Sequence, residues 1–278
     1  MADVLRYAAF TTDPSGGNPA GVVLDASGLD AAAMQAIAAE VGYSETAFVT
    51  PAAEGSYDVR YFAPTSEVPF CGHATIATAV ALADRGSADH LLFHTQTGDI
   101  AVTTGIVDGH STATLTSVPP YVELVEDETV EAVLGALGWS LDDLEDALPP
   151  LTAFAGARHL VLAVSTRARL ADLMYDFDQL LAVMTSHRWT TVQLVWREDA
   201  TTHHVRDPFP VGGVVEDPAT GAAAAAYGAY LRSLGVLDLP ATLTLHQGDD
   251  LGRPSLLLVD VPAGDGGISV TGTAVALV

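Results

Sequence analysis

The chain is poor in positive charge. Its 278 residues hold 11 Lys and Arg against 35 Asp and Glu, a formal charge of −24. Phosphate backbones are gripped by Lys and Arg, so this composition argues against a nucleic-acid partner, and anionic membrane surfaces are disfavoured for the same reason. Cysteine occurs once, as Cys71, which excludes an internal disulfide framework and any multi-cysteine zinc or iron–sulfur centre. Long apolar runs are missing too: the most apolar stretches, around residues 74–83 and 219–231, are too short to cross a bilayer. The opening Met1-Ala2-Asp3-Val4 lacks the basic segment and apolar block of a secretory signal. Also absent are the Walker phosphate loop, the G-x-G-x-x-G fingerprint and the G-x-S-x-G elbow.

What is present is a folding chain. Hydrophobic residues make up 49% and charged ones only 17%, so this is not a disordered acidic chain. The expectation is a soluble, cytoplasmic globular protein with enough core for one large domain or two small ones. Strands are predicted over residues 4–10, 20–24, 46–50 and 57–62, and a hairpin over 91–94 and 100–103. Asp30 is a good helix N-cap. Met34, Ile37, Ala38 and Val41 then follow at i, i+3, i+4 and i+7, and Gly42 supplies the stop. In the second half, residues 160–164, 191–196, 242–246 and 256–261 read as strands and 177–184 as a helix.

The most informative feature is an internal repeat. Glu67, Pro69 and Gly72 match Glu216, Pro218 and Gly221 at one offset, and Leu82 and Gly86 match Leu231 and Gly235 at the same offset. In each copy a Pro and a Gly precede a run of small apolar residues. A helix apolar on every side is normally buried on every side, so each half is predicted to wrap a sheet around a central helix. First-turn N–H groups of such a helix have no helical acceptor and can meet an anion.

Several side chains carry candidate chemistry. Glu45, in Ser44-Glu45-Thr46-Ala47-Phe48, reads locally either as a solvated residue opening a strand or as a functional carboxylate. Asp217 before Pro218 reads either as a turn or capping carboxylate or as a site residue. His73 in the first turn of the first helix is a potential donor or acceptor to substrate. Cys71, at the same helix start, reads either as a thiol of lowered pKa or as a small core residue. His203 and His204 are adjacent and point opposite ways on a strand, so they do not share a metal. Asp142, Asp143, Glu145 and Asp146 after Ser140 read as the solvated side of a short helix, and Asp249-Asp250 as a hairpin tip. No metal site is expected.

In this order and spacing the motifs resemble the PhzF family of phenazine-biosynthesis-like isomerases, in the diaminopimelate-epimerase-like superfamily. The resemblance runs through Phe10 with Gly17-Asn18-Pro19-Ala20, and through Ser44-Glu45-Thr46-Ala47-Phe48-Val49. It continues through Phe62, Pro64, Glu67 and Cys71-Gly72-His73-Ala74-Thr75, then Glu216-Asp217-Pro218-Ala219-Thr220-Gly221. It closes on Gln247-Gly248 and Gly252-Arg253-Pro254-Ser255. It implies an α/β (α+β) fold of two pseudo-symmetric halves, each a rolled, mostly antiparallel sheet around a central helix, with the active site between them. The halves are expected at 1–117, joined by a C-terminal strand at about 267–278, and at 118–266.

The implied activity is a cofactor-independent isomerisation that moves a proton between carbons of a small carboxylate-bearing substrate, such as a cyclic amino acid. Glu45 would transfer the proton, with Asp217 and His73 as further catalytic residues and Gly72, Gly221, Ala222 and Cys71 binding substrate. The resemblance further implies a homodimer that uses neither cofactor nor metal. Ala222 departs from the family pattern, which often has Ser there and so one more hydroxyl. Two other readings stand beside this one. One is a Cys71-dependent racemase or epimerase, and the other a binding protein that keeps the fold without the reaction.

Overall fold

The computed structural model describes residues 3–277; Met1-Ala2 of the signal-sequence reading lie outside them. The chain divides into two compact units. One runs up to Thr116 and takes back the segment from Thr271, and the other spans Ser117–Val270.

The first unit contains β1 (Leu5–Ala9), β2 (Asn18–Val23), α1 (Ala31–Val41), β3 (Glu45–Ala53), β4 (Ser56–Phe62), β5 (Glu67–Val68), α2 (Gly72–Ala83), β6 (His90–Thr95), β7 (Gly98–Val107) and β8 (His110–Thr116). Backbone pairing runs β1–β2–β3–β4–β6–β7–β8, and the C-terminal strand Ser269–Ala276 bonds to both β8 and β1, so the sheet closes into a barrel. Closure removes free sheet edges. The β2–β3 and β4–β6 pairs are parallel, and β1–β2, β3–β4, β6–β7, β7–β8 and the pairing of β1 with the C-terminal strand are antiparallel. Each parallel pair requires a crossover, supplied by α1 and α2.

The two crossover helices differ as their compositions require. Helix α1 lies outside the barrel: Asp30 accepts from the Ala33 amide at 2.8 Å, and Gly42 ends the helix at φ +71°. Its Met34 and Ala38 pack with Val23, Phe48 and Phe62. Helix α2 packs against β1, β2, β3, β7 and β8 and is buried continuously from His73 to Leu82. Small residues on every face let the surrounding strands approach it. Gly272 makes room in a comparable way, because a methyl there would fall 2.6 Å from Phe10 Cε1. Gly272→Ala is therefore expected to lower stability by about 1–3 kcal/mol, read as a lower urea midpoint with unchanged slope.

The second unit contains β9 (Tyr121–Leu124), α3 (Asp127–Leu137), β10 (Leu151–Phe154), β11 (Arg158–Ala163), α4 (Arg167–Ala171), α5 (Phe177–His187), β12 (Thr191–Arg197), β13 (Thr202–Pro208), β14 (Glu216–Asp217), α6 (Gly221–Leu234), β15 (Ala241–Gln247) and β16 (Ser255–Val261). Its ladder β9–β10–β11–β12–β13–β15–β16 repeats the first unit's pattern. Here β11–β12 and β13–β15 are the parallel pairs, and the two-residue β14 pairs antiparallel with β13 as β5 does with β4. Helix α6 packs on β9, β10, β11 and β16 and is buried from Ala223 to Leu231. The repeat read in the sequence is thus a repeat of topology. The short acidic run after Ser140 forms a 3-10 turn, Leu141–Asp143, closed by a Ser140–Asp143 capping box.

The strands of the second unit separate two chemistries. Leu160, Leu162, Val192 and Leu194 face α3 and α5 with Leu180, Met184 and Trp189. The alternate residues His159, Thr191, Gln193, His203 and Asp207 are buried on the other face. His159 Nδ1 lies 2.8 Å from the Thr191 hydroxyl, which donates to Asp207 Oδ1 at 2.8 Å. Burial pulls the His159 pKa down to about 3 and that of His203 to about 4, the latter helped by Arg197. An unfolded His titrates near 6.5. Between that value and the depressed ones the unfolded chain binds the extra protons, so the stability these two imidazoles contribute is lost as pH drops from about 6.5 toward 3–4, while buried Asp207, its pKa raised by desolvation, works in the opposite sense. In denaturant titrations at pH 7, 6 and 5, His159→Gln is expected to lose less stability with falling pH than the unsubstituted protein.

Candidate active site

Glu45 opens β3 directly after the Gly42 helix stop and the Tyr43-Ser44 link. Its backbone is held by the parallel β2 neighbour, with Ala20 opposite. The strand beyond it, Thr46–Val49, is buried on both faces because the barrel interior lies on one side and α1 on the other. That packing fixes where the carboxylate emerges. The Glu45 side chain is 16% exposed, so it is neither in bulk water nor sealed.

Cys71 is the N-cap residue of α2, but its thiol makes no capping bond. The first turn is fixed by Thr75 instead, whose hydroxyl and amide both donate to the Cys71 carbonyl, at 2.7 and 3.0 Å. The Tyr61 hydroxyl sits 2.6 Å from Thr75 Oγ1 and ties the helix start to β4. Gly72 begins the helix and His73 follows, buried.

These restraints bring three sequence candidates together. His73 Nε2 lies 3.4 Å from Glu45 Oε2 and 3.3 Å from Ser44 Oγ. Cys71 Sγ lies 3.4 Å from His73 Nδ1 and 3.8 Å from Nε2. At 3.4 Å the histidine–carboxylate contact is longer than a strong N–H···O bond. With the proton on Nε2, the imidazole donates toward Glu45 and leaves Nδ1 to accept from the thiol. One buried ring therefore links the thiol to the carboxylate. Among the described residues this is also the group whose ligand-type atoms lie close enough to hold a metal, all within 4.8 Å of one another. No metal site is expected from the sequence, whereas these three ligand-type atoms come from separate elements that only the fold brings together.

The second unit presents the matching helix start. Asp217, in the two-residue β14, is buried and accepts from the Thr220 hydroxyl at 2.6 Å. Gln247 binds the turn from below. Its Nε2 donates to the Asp217 carbonyl at 2.8 Å and to Thr220 Oγ1 at 3.0 Å, and its Oε1 accepts from the Thr220 amide at 3.0 Å. Gly221 and Ala222, partly exposed, form the first turn of α6, whose Thr220 N-cap makes no side-chain capping bond.

A pair of arginine clamps, not singled out in the sequence reading, braces the starts of α2 and α6. Arg60 of β4 grips Glu67 of β5 with Nε and a terminal nitrogen, each at 2.7 Å. Arg206 of β13 grips Glu216 of β14 in the same fork, at 2.9 and 2.5 Å. The repeat exposed both glutamates, but the arginines stand seven residues before one and ten before the other, which hides the pairing. A cavity of about 650 Å³ in the second unit, lined by Glu145, Trp196 and Arg197 among others, includes none of the candidate residues.

The comparisons with known proteins agree with one another. The family model for phenazine biosynthesis-like proteins, PhzC-PhzF, matches residues 7–278. An uncharacterised isomerase, YddE of Escherichia coli K12, is 33% identical over 99% of this chain and 96% of its own. The trans-2,3-dihydro-3-hydroxyanthranilate isomerase of Pseudomonas chlororaphis is 34% identical over 90% of this chain and 86% of its own. A crystal structure of a phenazine biosynthesis protein of the PhzF family from Bacillus anthracis superposes with a TM-score of 0.88 at 27% identity. It covers 100% of this chain and 97% of that one. With the family model spanning nearly the whole chain and relatives above 30% identity covering it, the protein belongs to the PhzF family of isomerases.

Proposed function

We propose that the protein moves a proton between two carbons of a small carboxylate-bearing substrate, with Glu45 as both base and acid. The observation that carries this reading is the placement of Glu45: half-buried at the head of β3, with its Oε2 against His73 at the start of α2. In the first step the Glu45 carboxylate takes a proton from an activated C–H, and the bonding pair delocalises into the substrate's adjacent unsaturated system. In the second step the protonated Glu45 returns that proton to a different carbon. The substrate is isomerised and the enzyme restored, with no net proton gained or lost. His73 donates to Glu45 or to the substrate. The amides at the start of α2 favour the negative charge that builds up between the steps. Asp217 is the second carboxylate assigned to the reaction, with Gly221 and Ala222 in the helix turn that follows it.

The Pseudomonas chlororaphis relative makes trans-2,3-dihydro-3-hydroxyanthranilate the first compound to test. Incubation of this compound and other small cyclic carboxylic acids in deuterated buffer, followed by proton NMR, is expected to show enzyme-dependent isomerisation with label entering carbon. A panel that shows neither isomer nor label would count against the proposal. The racemase reading has one observation in its favour, the Cys71 Sγ contact to His73 Nδ1. It predicts that Cys71→Ser, rather than Glu45→Gln, removes the activity.

A further inference from the structure

The cluster at the head of β3 has a property that proton transfer does not call for. Thiolate, imidazole and carboxylate form a mixed donor set that suits a borderline-soft, tetrahedral cation and offers little to Mg2+ or Ca2+, which take oxygen ligands. We propose that Glu45, Cys71 and His73 form a binding site for a thiophilic divalent cation, typified by Zn2+, and that its occupation withdraws Glu45 from acid–base chemistry.

The three donor atoms are already gathered at ligand-to-ligand spacing. Zinc bonds of 2.0–2.3 Å place neighbouring ligand atoms about 3.3–3.8 Å apart. Glu45 Oε2 and Cys71 Sγ stand 3.4 and 3.8 Å from His73 Nε2, and all three donors lie within 4.8 Å of one another. Coordination requires the His73 ring to turn about its Cβ–Cγ bond so that the Nε2 lone pair faces the thiol, which lies beside the ring at 3.4 Å from Nδ1 and 3.8 Å from Nε2, with Glu45 turning to meet the same point. The backbone beneath is already held: Cys71 and His73 flank the first residue of a helix pinned through Thr75 and Tyr61, and Glu45 heads a strand buried along its next four residues. Cys71 and His73 are buried and Glu45 is half-buried. All three ligands belong to the first unit.

Binding has a defined proton balance. The thiol gives up its proton to the buffer and the sulfur takes the metal. Nε2 binds as the unprotonated nitrogen, so the ring proton sits on Nδ1, on the side of the ring away from the metal. Affinity therefore rises with pH. The acidic surface, at −24 overall, concentrates cations of every kind but supplies no sulfur. Metal binding does not depend on the proposed reaction; only the loss of activity does.

The test uses the intact protein and Co2+ as a spectroscopic stand-in, followed by Zn2+ dialysis against excess Mg2+ with metal analysis. The expected result is a saturable sulfur-to-cobalt charge-transfer band at one Co2+ per chain. One Zn2+ is retained per chain, with Zn2+ affinity about a hundredfold weaker in Cys71→Ser and reduced again in Glu45→Gln. Absence of the band in the wild-type protein overturns the site without recourse to any variant, as does Zn2+ retention that Cys71→Ser leaves unchanged. Retention unaffected by Glu45→Gln removes Glu45 from the ligand set and with it the proposed inhibition. A cobalt band in a protein that isomerises nothing would leave the metal site standing and sink the proposed function. Activity indifferent to a stoichiometric Zn2+ that is bound would do the reverse to the inhibitory role.

Discussion

Glu45→Gln is expected to cut isomerisation by at least about a hundredfold while the protein stays folded. The amide keeps the shape of the side chain and removes the only property the mechanism asks of it, the ability to take and return a proton. General acid–base catalysis by a positioned group is worth about 10²–10⁴-fold, and here one group serves both steps, so the loss should lie toward the upper end. The effect should appear in kcat, since binding contacts are largely kept. Cys71→Ser should fall far less, because the thiol meets His73 rather than a reacting carbon in this mechanism. His73→Asn should lie between the two, since it withdraws the donor that faces Glu45. The reverse order, with Cys71→Ser the inactive protein, would assign the chemistry to the thiol.

Loss of Arg206 is expected to destabilise the fold by about 3–5 kcal/mol, and loss of Arg60 by about 1 kcal/mol or less. The two arginines make the same fork on equivalent glutamates, so the difference isolates burial. Side chains of Arg206 and Glu216 are 9% and 1% exposed, those of Arg60 and Glu67 38% and 24%. Removing Arg206 strands a carboxylate away from water, and it also deprives the Leu170 and Ala171 carbonyls at the end of α4 of their donor. Removing Arg60 leaves Glu67 in reach of solvent. Arg206→Met and Arg60→Met, compared by urea unfolding at pH 7, should differ by several kcal/mol. A double variant Arg206→Met, Glu216→Leu should recover much of the loss, because the stranded charge is the main penalty. Since Glu216 adjoins Asp217 just ahead of α6, Arg206→Met is also the variant most apt to disturb the start of that helix.

The parts of this fold that were legible in the sequence are those set by local rules. Asp30 and Gly42 bracket α1 because an N-cap carboxylate and a left-handed glycine are short-range requirements. The 91–103 hairpin and the two all-round apolar helices follow from periodicity and residue size. The offset repeat exposed the duplicated topology because β5 and β14 each sit the same distance before their helix. Other elements were missed for physical reasons. Strand β13 carries His, Arg, Asp and Pro where strand propensity asks for branched apolar residues, yet pairing on both sides holds it in place. Helix α3, amphipathic behind Asp127 and Glu128, lies between Pro119-Pro120 and Pro149-Pro150, where the sequence analysis predicts no element over residues 127–137. At the candidate site, residue types were visible but not their convergence. Nothing local ties Glu45 to Cys71 and His73; the parallel β2–β3 pair and the pinned start of α2 do so.

The central claim is that one side chain carries the proton from carbon to carbon. The measurement that tests it most directly follows deuterium placed on the donating carbon of an accepted substrate during turnover in ordinary water. A single monoprotic carboxylate should deliver part of that deuterium to the accepting carbon of the product, and Glu45→Gln should abolish both the product and the transfer. Product formed by Glu45→Gln at the wild-type rate, with the same deuterium content, would contradict the claim.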